Sequence, residues 1–537
     1  MAVPCSLPSL PEELIHLIIQ HLDTTDIVLC RFVSKTWYDV FANPYLLRTA
    51  LKSHLGNARE VRRLKCEGAL TGPIESTGRD PAYWVHTFDR VAARYHNLKN
   101  GTPQYITNLS QCDNDSGGWP GHHYSIRQWD QVFYKSASIA NGLLFFLEQK
   151  EQAWTYDDGL LVYADKRDRC YVLLDIQDAT KTDVPFHLQG RCIRRIRLCH
   201  QVLLIEWAEN RPYHKLNDTE SVHRHFVTAF DVELIPKSLP WLPKWSVTYR
   251  NEWKLHFLGL PLNQLDRFFS VHTTTHYAVY IWQPNRSAWG EDTPLELLAV
   301  WDISQRCDYR PSDDPSGLGR PELGPRVMFK ASYKLLDFYG IRQRDNPRFQ
   351  KLRLDDGDGM VYFHQGEGLS GSGILSDDSD RSWKYEGSIV GIPFIGLGPS
   401  WRSEVAQTWH TWTKEQPAIS SFSFPNIETS TEPMQAYEHN RSEEFHWTSD
   451  GARLKGYRDC SAAINFVAGQ PDQEQDNPAD WMIHIWADGW NAPLKQSALN
   501  CLKYSCIRGD ERWIIGRHQR LNEIVILHFD KKPSTIS

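Results

Sequence analysis

The chain has 537 residues, and 59 lysines and arginines against 66 aspartates and glutamates give a formal net charge of −7 at pH 7. This balance gives no reason to expect nucleic acid or an anionic membrane as the main partner. No window approaches the ~20 apolar residues that a membrane span needs, and the N-terminus lacks a basic leader followed by an apolar run. The eleven cysteines are scattered without a CxxC pair. We therefore expect reduced thiols and a cytoplasmic or nuclear protein, long enough for one small and one large domain.

The first predicted elements are three short helices near the N-terminus. Ser9 and Glu12 have the spacing of a capping box, and Pro11 then falls in the first turn, where its missing N–H costs nothing. The apolar residues of this helix recur at the three-and-four spacing of a single stripe, at Leu14, Leu17, Ile18 and Leu22. The polar turn at residues 23–26 ends this helix and caps a second one. A third helix is predicted from Ser34 to about Ala42.

This stretch carries more apolar side chains than the small core of three short helices can bury, so a partner should cover the surplus. An ordered set of residues runs through it, at Leu10-Pro11-x-Glu13-Leu14, Ile18, Leu22, Asp26 and Val33-Ser34-Lys35-x-Trp37. The set resembles the F-box, the adaptor-binding module of cullin-type ubiquitin ligases. The alternative is an ordinary three-helix cap packed on its own downstream domain.

The resemblance implies a fold, a partner and a set of contact residues. The F-box would occupy residues 4–50 and would bind a SKP-type adaptor, which in turn binds a cullin scaffold. The residues that match the pattern and would anchor the adaptor are Leu10, Pro11, Leu14, Ile18, Leu22, Val33 and Trp37.

Residues 51–103 are predicted to form a helical linker. Two short helices come first, with Gly56 between them as a stop signal. A longer helix then starts with Asp80 as N-cap and Pro81 at its first position, and it carries an apolar stripe as far as Leu98. At ~1.5 Å per residue this helix would span roughly 30 Å. Because the stripe must dock, we expect a rigid strut between two domains.

Residues 104–537 are predicted to form one large all-β domain. Short β runs begin at about Tyr134, and three successive units end alike, in LLDI, AFDV and VWDI, at Asp175, Asp231 and Asp302. Such a repeated meander is typical of β-propeller blades, and roughly 400 residues at ~50 to 60 per blade would give about six to eight blades. A single sandwich fits less well. The predicted fold class is therefore α+β multidomain, with a three-helix F-box, a helical linker and a propeller-like domain.

A second resemblance covers nearly the whole chain. It rests on the phrases VHRHFVTAFDV, THYAVYIWQPNRS, LAVWDIS and LDFYGIRQR together with the strut helix. These are similar to a family of F-box proteins from filamentous fungi. The resemblance implies fungal origin and one F-box followed by one repeat domain, but it implies no substrate and no catalytic residues.

Motifs of catalysis are sparse in this sequence. No Gly-x-Ser-x-Gly elbow, P-loop or HExxH occurs. The pair His122-His123 has no third ligand at a suitable spacing, so we predict neither a metal site nor a cofactor. Arg195 and Arg197 lie in the densest basic cluster beyond the N-terminal region and could grip an acidic or phosphorylated peptide. The alternative for these arginines is pairing with carboxylates on neighbouring strands.

The sequence thus predicts a substrate-receptor subunit of a cullin-type ubiquitin ligase, without an active site of its own. The F-box would hold the SKP-type adaptor, and the β domain would hold a protein target whose identity the sequence does not reveal. Two alternatives stay open. One is an enzyme with an active site in the propeller funnel, whose F-box controls its turnover, and the other is an F-box scaffold that works without a cullin.

Overall fold

Helices occupy the first hundred residues, and a large all-β region of several separate sheets follows. The computed structural model describes residues 10–56, 58–71, 78–111, 122–123, 154–165, 170–215, 220–235, 244–256, 259–262, 267–283, 293–319, 324–344, 349–367, 383–395, 403–412, 421–423, 444–448, 451–455, 463–468, 481–487, 490–493, 503–517 and 523–530. The helices are α1 (Glu12–His21), α2 (Thr24–Cys30), α3 (Lys35–Phe41), α4 (Pro44–His54), α5 (Arg59–Cys66), α6 (Pro81–Lys99) and, within the β region, α7 (Tyr333–Phe338).

Three helices begin at polar side chains, as the sequence predicted. Asp23 accepts a hydrogen bond from the backbone N–H of Thr24 at 2.6 Å and caps α2. Ser34 accepts from the N–H of Trp37 at 3.3 Å and caps α3. Asp80 caps the strut helix α6 in the same way. These side chains satisfy backbone donors that have no partner inside the helix, which is why these residue types mark the starts.

The predicted start and inner face of α1 need correction. Pro11 is the N-cap residue and not part of the first turn, and no side chain caps the helix; Ser9 lies outside the described residues. The buried residues of α1 are Ile15 and Ile19. Leu14, which the predicted stripe included, is exposed instead. An α-helix that is apolar on several sides cannot reveal from its own sequence which side meets the core.

One hydrophobic core unites the F-box helices with the predicted linker. Side chains of α1 to α3 share a cluster with those of α4 to α6, among them Ile15, Ile27, Phe41, Leu47, Val61, Trp84, Phe88 and Val91. The strut helix α6 therefore docks its apolar stripe on the F-box helices. Because their apolar faces are buried together, α1 to α6 form one helical unit.

Within the described β region, six sheets of antiparallel strands follow one another along the chain. The first sheet is β3 (Trp154–Asp157), β4 (Leu160–Ala164), β5 (Tyr171–Asp175) and β6 (Thr180–Asp183). The second sheet is β7 (Arg191–Cys199), β8 (Val202–Glu209), β11 (His225–Leu234) and β12 (Trp245–Lys254). The third sheet is β14 (Arg267–His272), β15 (His276–Gln283), β16 (Leu295–Asp302) and β17 (Arg326–Ser332).

The remaining sheets continue the series. The fourth sheet is β18 (Phe349–Asp355), β19 (Met360–Glu367), β20 (Trp383–Pro393) and β21 (Ser403–Trp412), and the fifth is β22 (Ser421–Ser423), β25 (Ala463–Ala468), β26 (Trp481–Ala487) and β27 (Trp490–Pro493). The sixth sheet is β28 (Lys503–Asp510), β29 (Trp513–Arg517), β30 (Glu523–His528) and β1 (Tyr105–Ser110). The smaller elements are β2 (His122–His123) alongside β7, the sheet of β9 (His214–Lys215), β10 (Ser221–His223) and β13 (Leu260–Pro261), and the hairpin of β23 (Glu444–Thr448) and β24 (Gly451–Lys455).

Neighbouring sheets pack face to face, because alternate residues of a strand point to opposite faces. In β4, Leu161 and Tyr163 pack towards the sixth sheet, whereas Leu160 and Val162 pack towards the second. The same alternation joins the second sheet to the third and the third to the fourth. Strands that are buried on both faces read as continuous apolar runs, such as LLVYA in β4.

The sixth sheet contains a strand that precedes the first sheet in the chain. β1 comes before the first sheet in sequence, yet it pairs antiparallel with β30 from Tyr105 opposite His528 to Ser110 opposite Glu523. The sixth sheet is thus built from both ends of the described β region. The strand that completes it follows directly from α6, so the helical unit is attached at this sheet.

The three aspartates of the sequence repeat take equivalent places in the first three sheets, each on the third strand. Asp175 accepts hydrogen bonds from the Nζ of Lys244 and the Nε1 of Trp245, both at 2.8 Å, and these belong to the next sheet or its approach. Asp231 pairs with Arg306, which follows a strand of the next sheet. Asp302 accepts from the N–H and the hydroxyl of Ser304, close by in the chain. The repeat read in the sequence is therefore a repeat in structure.

A buried arginine fixes the helical unit to the sixth sheet. The side chain of Arg94 on α6 is 0% exposed and contacts Glu60 on α5 at 2.5 Å, Glu511 at 3.0 Å and Asp530 at 3.2 Å. Glu511 also accepts from the backbone N–H of Arg59 at 2.8 Å. Burial by itself would raise the pKa of Glu60, but the charge of Arg94 outweighs that effect and lowers it to about 2.

Arg94→Met should destabilise the protein strongly. The substitution removes the cation that three acidic side chains surround, and leaving buried carboxylates uncompensated costs about 3 to 5 kcal/mol. Denaturant unfolding of the full chain would measure the loss. The matched control is Lys99→Met on the same helix, because the ion pair of Lys99 with Asp23 is half exposed and should contribute about 1 kcal/mol or less. Equal losses for the two variants would contradict the assigned role of Arg94.

The contribution of Glu60 should depend on pH. A carboxyl whose pKa is depressed in the folded state stabilises the fold above its unfolded pKa, and this stabilisation is lost as the pH falls through the folded value of about 2. Glu60→Gln should therefore lower the free energy of unfolding clearly at pH 6 and much less near pH 2.5. A loss that is the same at both pH values would show that the charge of Glu60 is irrelevant.

Candidate functional site

The helical unit exposes large apolar side chains on α1 to α3 and in the turn between α2 and α3. We call the set of Leu14, Leu17, Leu29, Phe32, Val33 and Tyr38 the N-terminal apolar surface. Phe32, in the turn after α2, is 81% exposed, and Val33 beside it is 62% exposed. Single exposed apolar residues are ordinary, but this many within 25 residues is typical of a surface that a protein partner covers.

Local structure explains why these residues face outward. Ile15 and Ile19 turn one side of α1 to the core, which leaves Leu14 and Leu17 on other sides. In α2 the buried apolar residue is Ile27. The chain then turns to reach the cap Ser34, and its backbone N–H groups at Phe32 and Val33 donate to the carbonyls of Leu29 and Cys30. In this turn the side chain of Arg31 packs inward over the ring of Phe88, whereas those of Phe32 and Val33 are exposed.

The seven predicted anchors divide into two groups. Pro11, Leu14 and Val33 are exposed and available to a partner. Ile18 is half-buried, and Leu10, Leu22 and Trp37 are partly buried against the helical core. The indole of Trp37 stacks on the ring of the fully buried Phe41, with centroids 5.5 Å apart. Trp37 therefore supports the fold of the unit in addition to any contact with a partner.

Sequence reasoning missed four members of this surface as anchors: Leu17, Leu29, Phe32 and Tyr38. Leu17 was in the predicted stripe but was not chosen as an anchor. A signal did exist for two others, since Leu29 and Phe32 recur at helical spacing on a different side from the core residue Ile27. Locating them requires knowing which apolar side of each helix meets the core.

Charged residues lie around the N-terminal apolar surface. Glu12 and Glu13 are exposed in the first turn of α1. Partial burial of Asp23 would raise its pKa, but the hydrogen bond and charge of Lys99 reverse the effect and lower it. Partial burial and the carboxylate of Asp26 raise the pKa of the Cys30 thiol, which disfavours a thiolate. The exposed apolar side chains suit this surface to binding a protein.

The structure places the second predicted site, at Arg195 and Arg197, differently from expectation. Arg195 is 3% exposed, and its guanidinium donates to Glu206 at 3.2 Å, to the hydroxyl of Ser270 at 2.6 Å and to the carbonyl of Phe268 at 3.0 Å. Arg195 and Glu206 lie opposite each other on adjacent strands. Arg195 thus pairs with a carboxylate on a neighbouring strand, the alternative that the sequence left open, and is not available to a target peptide.

Arg197 is only partly buried, but the two arginines do not form an exposed pair, because Arg195 is buried in internal contacts. A β-bulge between Ile193 and Arg195 places Arg194 out of register with β8, whereas the pairing from Arg195 to Cys199 is regular. The network around Arg195 is internal, because Tyr277 of the third sheet also donates to Glu206, at 3.1 Å. Burial, and then the charge of Glu206, raise the pKa of Tyr277 well above its usual value. These groups stabilise the packing between the second and third sheets.

A cleft of about 650 Å³ separates part of the helical unit from the β region. Arginines line it, but each faces a carboxylate: Arg59 pairs with Asp158, Arg90 lies 2.9 Å from Glu60, and Arg512 lies 2.5 Å from Asp510. The pair of Arg59 with Asp158 crosses the junction, whereas the other two pairs lie within the helical unit and within the sixth-sheet region. The cleft is therefore part of the structural connection between the two regions.

The described residues were also considered as metal ligands and as membrane spans. No group of three or more His, Cys, Asp and Glu residues that could hold a metal ion occurs among the described residues. The pair His122-His123, considered as a metal site in the sequence, forms strand β2 parallel to β7. None of the described helices is both long enough and apolar enough to cross a membrane.

Comparison with known families identifies the N-terminal region. Residues 7–49 match the F-box domain, in agreement with the resemblance read from residues 10–37. No curated protein matches the chain, and the similarity to filamentous-fungal F-box proteins stays a prediction. F-box domains bind SKP-type adaptors of cullin-based ubiquitin ligases. The chain carries an F-box domain at residues 7–49, followed by a region that is mostly β.

Proposed function

We propose that this protein is the substrate-receptor subunit of a cullin-based ubiquitin ligase. The F-box binds the SKP-type adaptor, and the β region binds a protein target. The observation that carries the proposal is the F-box match together with the exposed side chains of the N-terminal apolar surface. Covering Leu14, Phe32 and Val33 with a partner would remove apolar area from water, at roughly 25 cal/mol per Å².

We further propose that the six sheets are the blades of a β-propeller. Four features support this arrangement: sequential antiparallel sheets, an Asp in equivalent places of three sheets, face-to-face packing of neighbours and the pairing of β1 with β30. A strand from the start of the region that completes the last sheet is what closing such a ring requires. Six blades would fall within the range expected from chain length.

The proposed mechanism is acceleration by proximity. The receptor contributes no reacting group; it holds the target while the partners of the ligase deliver ubiquitin. A rigid receptor raises the effective concentration of target lysines near the loaded enzyme, and misplacement weakens this effect. The contacts of Arg94, and the hydrogen bond from the Nδ2 of Asn97 to the carbonyl of Phe529 at 3.0 Å, support such rigidity.

Leu14→Ala combined with Phe32→Ala should weaken binding of a purified SKP-type adaptor by well over tenfold. Each buried apolar anchor of an interface contributes on the order of 2 kcal/mol, and 1.4 kcal/mol corresponds to about a factor of ten. Both side chains are exposed, so the helical core should stay intact. Titration calorimetry would give the dissociation constant, and a thermal melt would check the fold.

The matched control is Leu318→Ala, which removes an equally apolar side chain that is 91% exposed in the β region. Its affinity for the adaptor should equal that of the parent protein. Adaptor binding by the double variant at parental strength, in a protein with a normal melt, would refute the assigned interface.

A further inference from the structure

Strand β17, the outer strand of the third sheet, is exposed along much of its length. On one side it pairs with β16, and no other described strand pairs with it. By contrast, the outer strand β12 of the second sheet is covered by the chain after β16, where Cys307 donates to the carbonyl of Arg250 at 2.9 Å and Ser312 donates to Glu252 at 3.0 Å. An uncovered outer strand offers backbone groups that another chain could use.

Apolar side chains accompany this free edge. Val327 and Met328 of β17 are exposed, and the helix α7, which follows β17 directly, exposes Tyr333 and Phe338. Phe338 is 60% exposed. We call Arg326 to Ser332 together with α7 the β17 surface. A cluster of this kind at a sheet edge is typical of a place where an extended segment binds.

The charge of the β17 surface is opposite to that of the whole protein. Residues 326–338 contain three lysines and arginines and one acidic residue, a net charge of +2 in a chain with −7. That acidic residue, Asp337, already lies 2.8 Å from Arg342 and 3.2 Å from Arg344. Lys330 and Lys334 are exposed and form no ion pair with any described residue. A partner with acidic side chains would complement this surface.

The backbone of β17 allows a strand to be added. From Phe329 to Ser332 it pairs regularly with β16, and the irregularity lies at Met328, opposite the step from Val300 to Trp301. Alternate N–H and C=O groups of this regular part point away from β16. Edge lysines and bulges also serve to keep like edges apart, but protection alone does not require four exposed apolar side chains. Lysines repel a basic strand and attract an acidic one.

We propose that the β17 surface binds an extended acidic peptide segment with interspersed apolar residues, which pairs with the outer edge of Phe329–Ser332. The backbone pairing would supply affinity, and the lysines and the exposed apolar side chains would select the sequence. The binding itself is independent of the F-box. The identity of the segment as part of a ubiquitination target rests on the proposed function.

The test uses the full-length chain and a fluorescein-labelled twelve-residue peptide that alternates Glu and Val. Fluorescence anisotropy should show binding that weakens as salt is added. Lys330→Glu combined with Lys334→Glu should lower the affinity at least tenfold. The matched control, Arg211→Glu combined with Lys215→Glu, makes the same change in net charge at exposed positions of the second sheet region and should stay within twofold of the parent.

A second measurement separates strand addition from simple charge attraction. Hydrogen exchange should slow at the outward amides of residues 329–332 when the peptide binds. A peptide of equal charge with proline at every second position should bind at least tenfold more weakly, since proline cannot donate. Equal binding of the proline peptide, protection confined to other segments or absence of binding would overturn the proposal. Binding of anionic vesicles or DNA in place of the peptide would also overturn it.

Adaptor titration distinguishes the two proposals. Loss of peptide binding with normal adaptor binding would reject the β17 surface and leave the receptor function standing. Peptide binding as expected, without any affinity for the adaptor, would reject the receptor function and leave the β17 surface as a peptide site.

Discussion

The arrangement of this molecule depends on the buried guanidinium of Arg94. It joins Glu60 of the helical unit to Glu511 and Asp530 of the sixth sheet, and its side chain is fully buried. Burying charges is expensive, so such a cluster is tolerated only where the partners are all in place. A displaced helical unit would leave three carboxylates without their cation. The electrostatics thus favour one orientation of the F-box relative to the sheets, whereas an apolar contact would tolerate sliding.

The covalent path reinforces this orientation. The chain leaves α6 at Lys99 and enters β1 at Tyr105, where the backbone N–H of Gln104 donates to the carbonyl of His528 at 2.6 Å. The strand that completes the sixth sheet is therefore an extension of the helix that carries Arg94. Melting of β1 from β30 would release the helical unit as well as the edge of the sheet, so the two events should be coupled.

Local chemistry could be predicted from the sequence, but long-range partners could not. The caps Asp23, Ser34 and Asp80 act within three residues, so spacing alone identifies them. Arg195 depends on Ser270, 75 residues away, and on a bulge that no spacing rule indicates. The buried side of α1 also depends on residues far along the chain. Several sides of the helix are apolar, and the choice of Ile15 over Leu14 for the core depends on α4 and α6, which come later in the chain.

Carboxylates form ion pairs both between neighbouring sheets and between the sixth sheet and the helical unit. Asp175 of the first sheet forms an ion pair with Lys244, just before a strand of the second sheet. Asp231 of the second sheet forms an ion pair with Arg306, just after a strand of the third sheet. Asp530 follows the third strand of the sixth sheet, and the cation it meets is Arg94 of α6. By strand register the residue of the sixth sheet that is equivalent to Asp175 and Asp231 is His528, and Asp530 lies two residues further along the chain. The helical unit is thus joined to the sixth sheet by a carboxylate–cation contact, the same kind of contact that links the first sheet to the second and the second to the third.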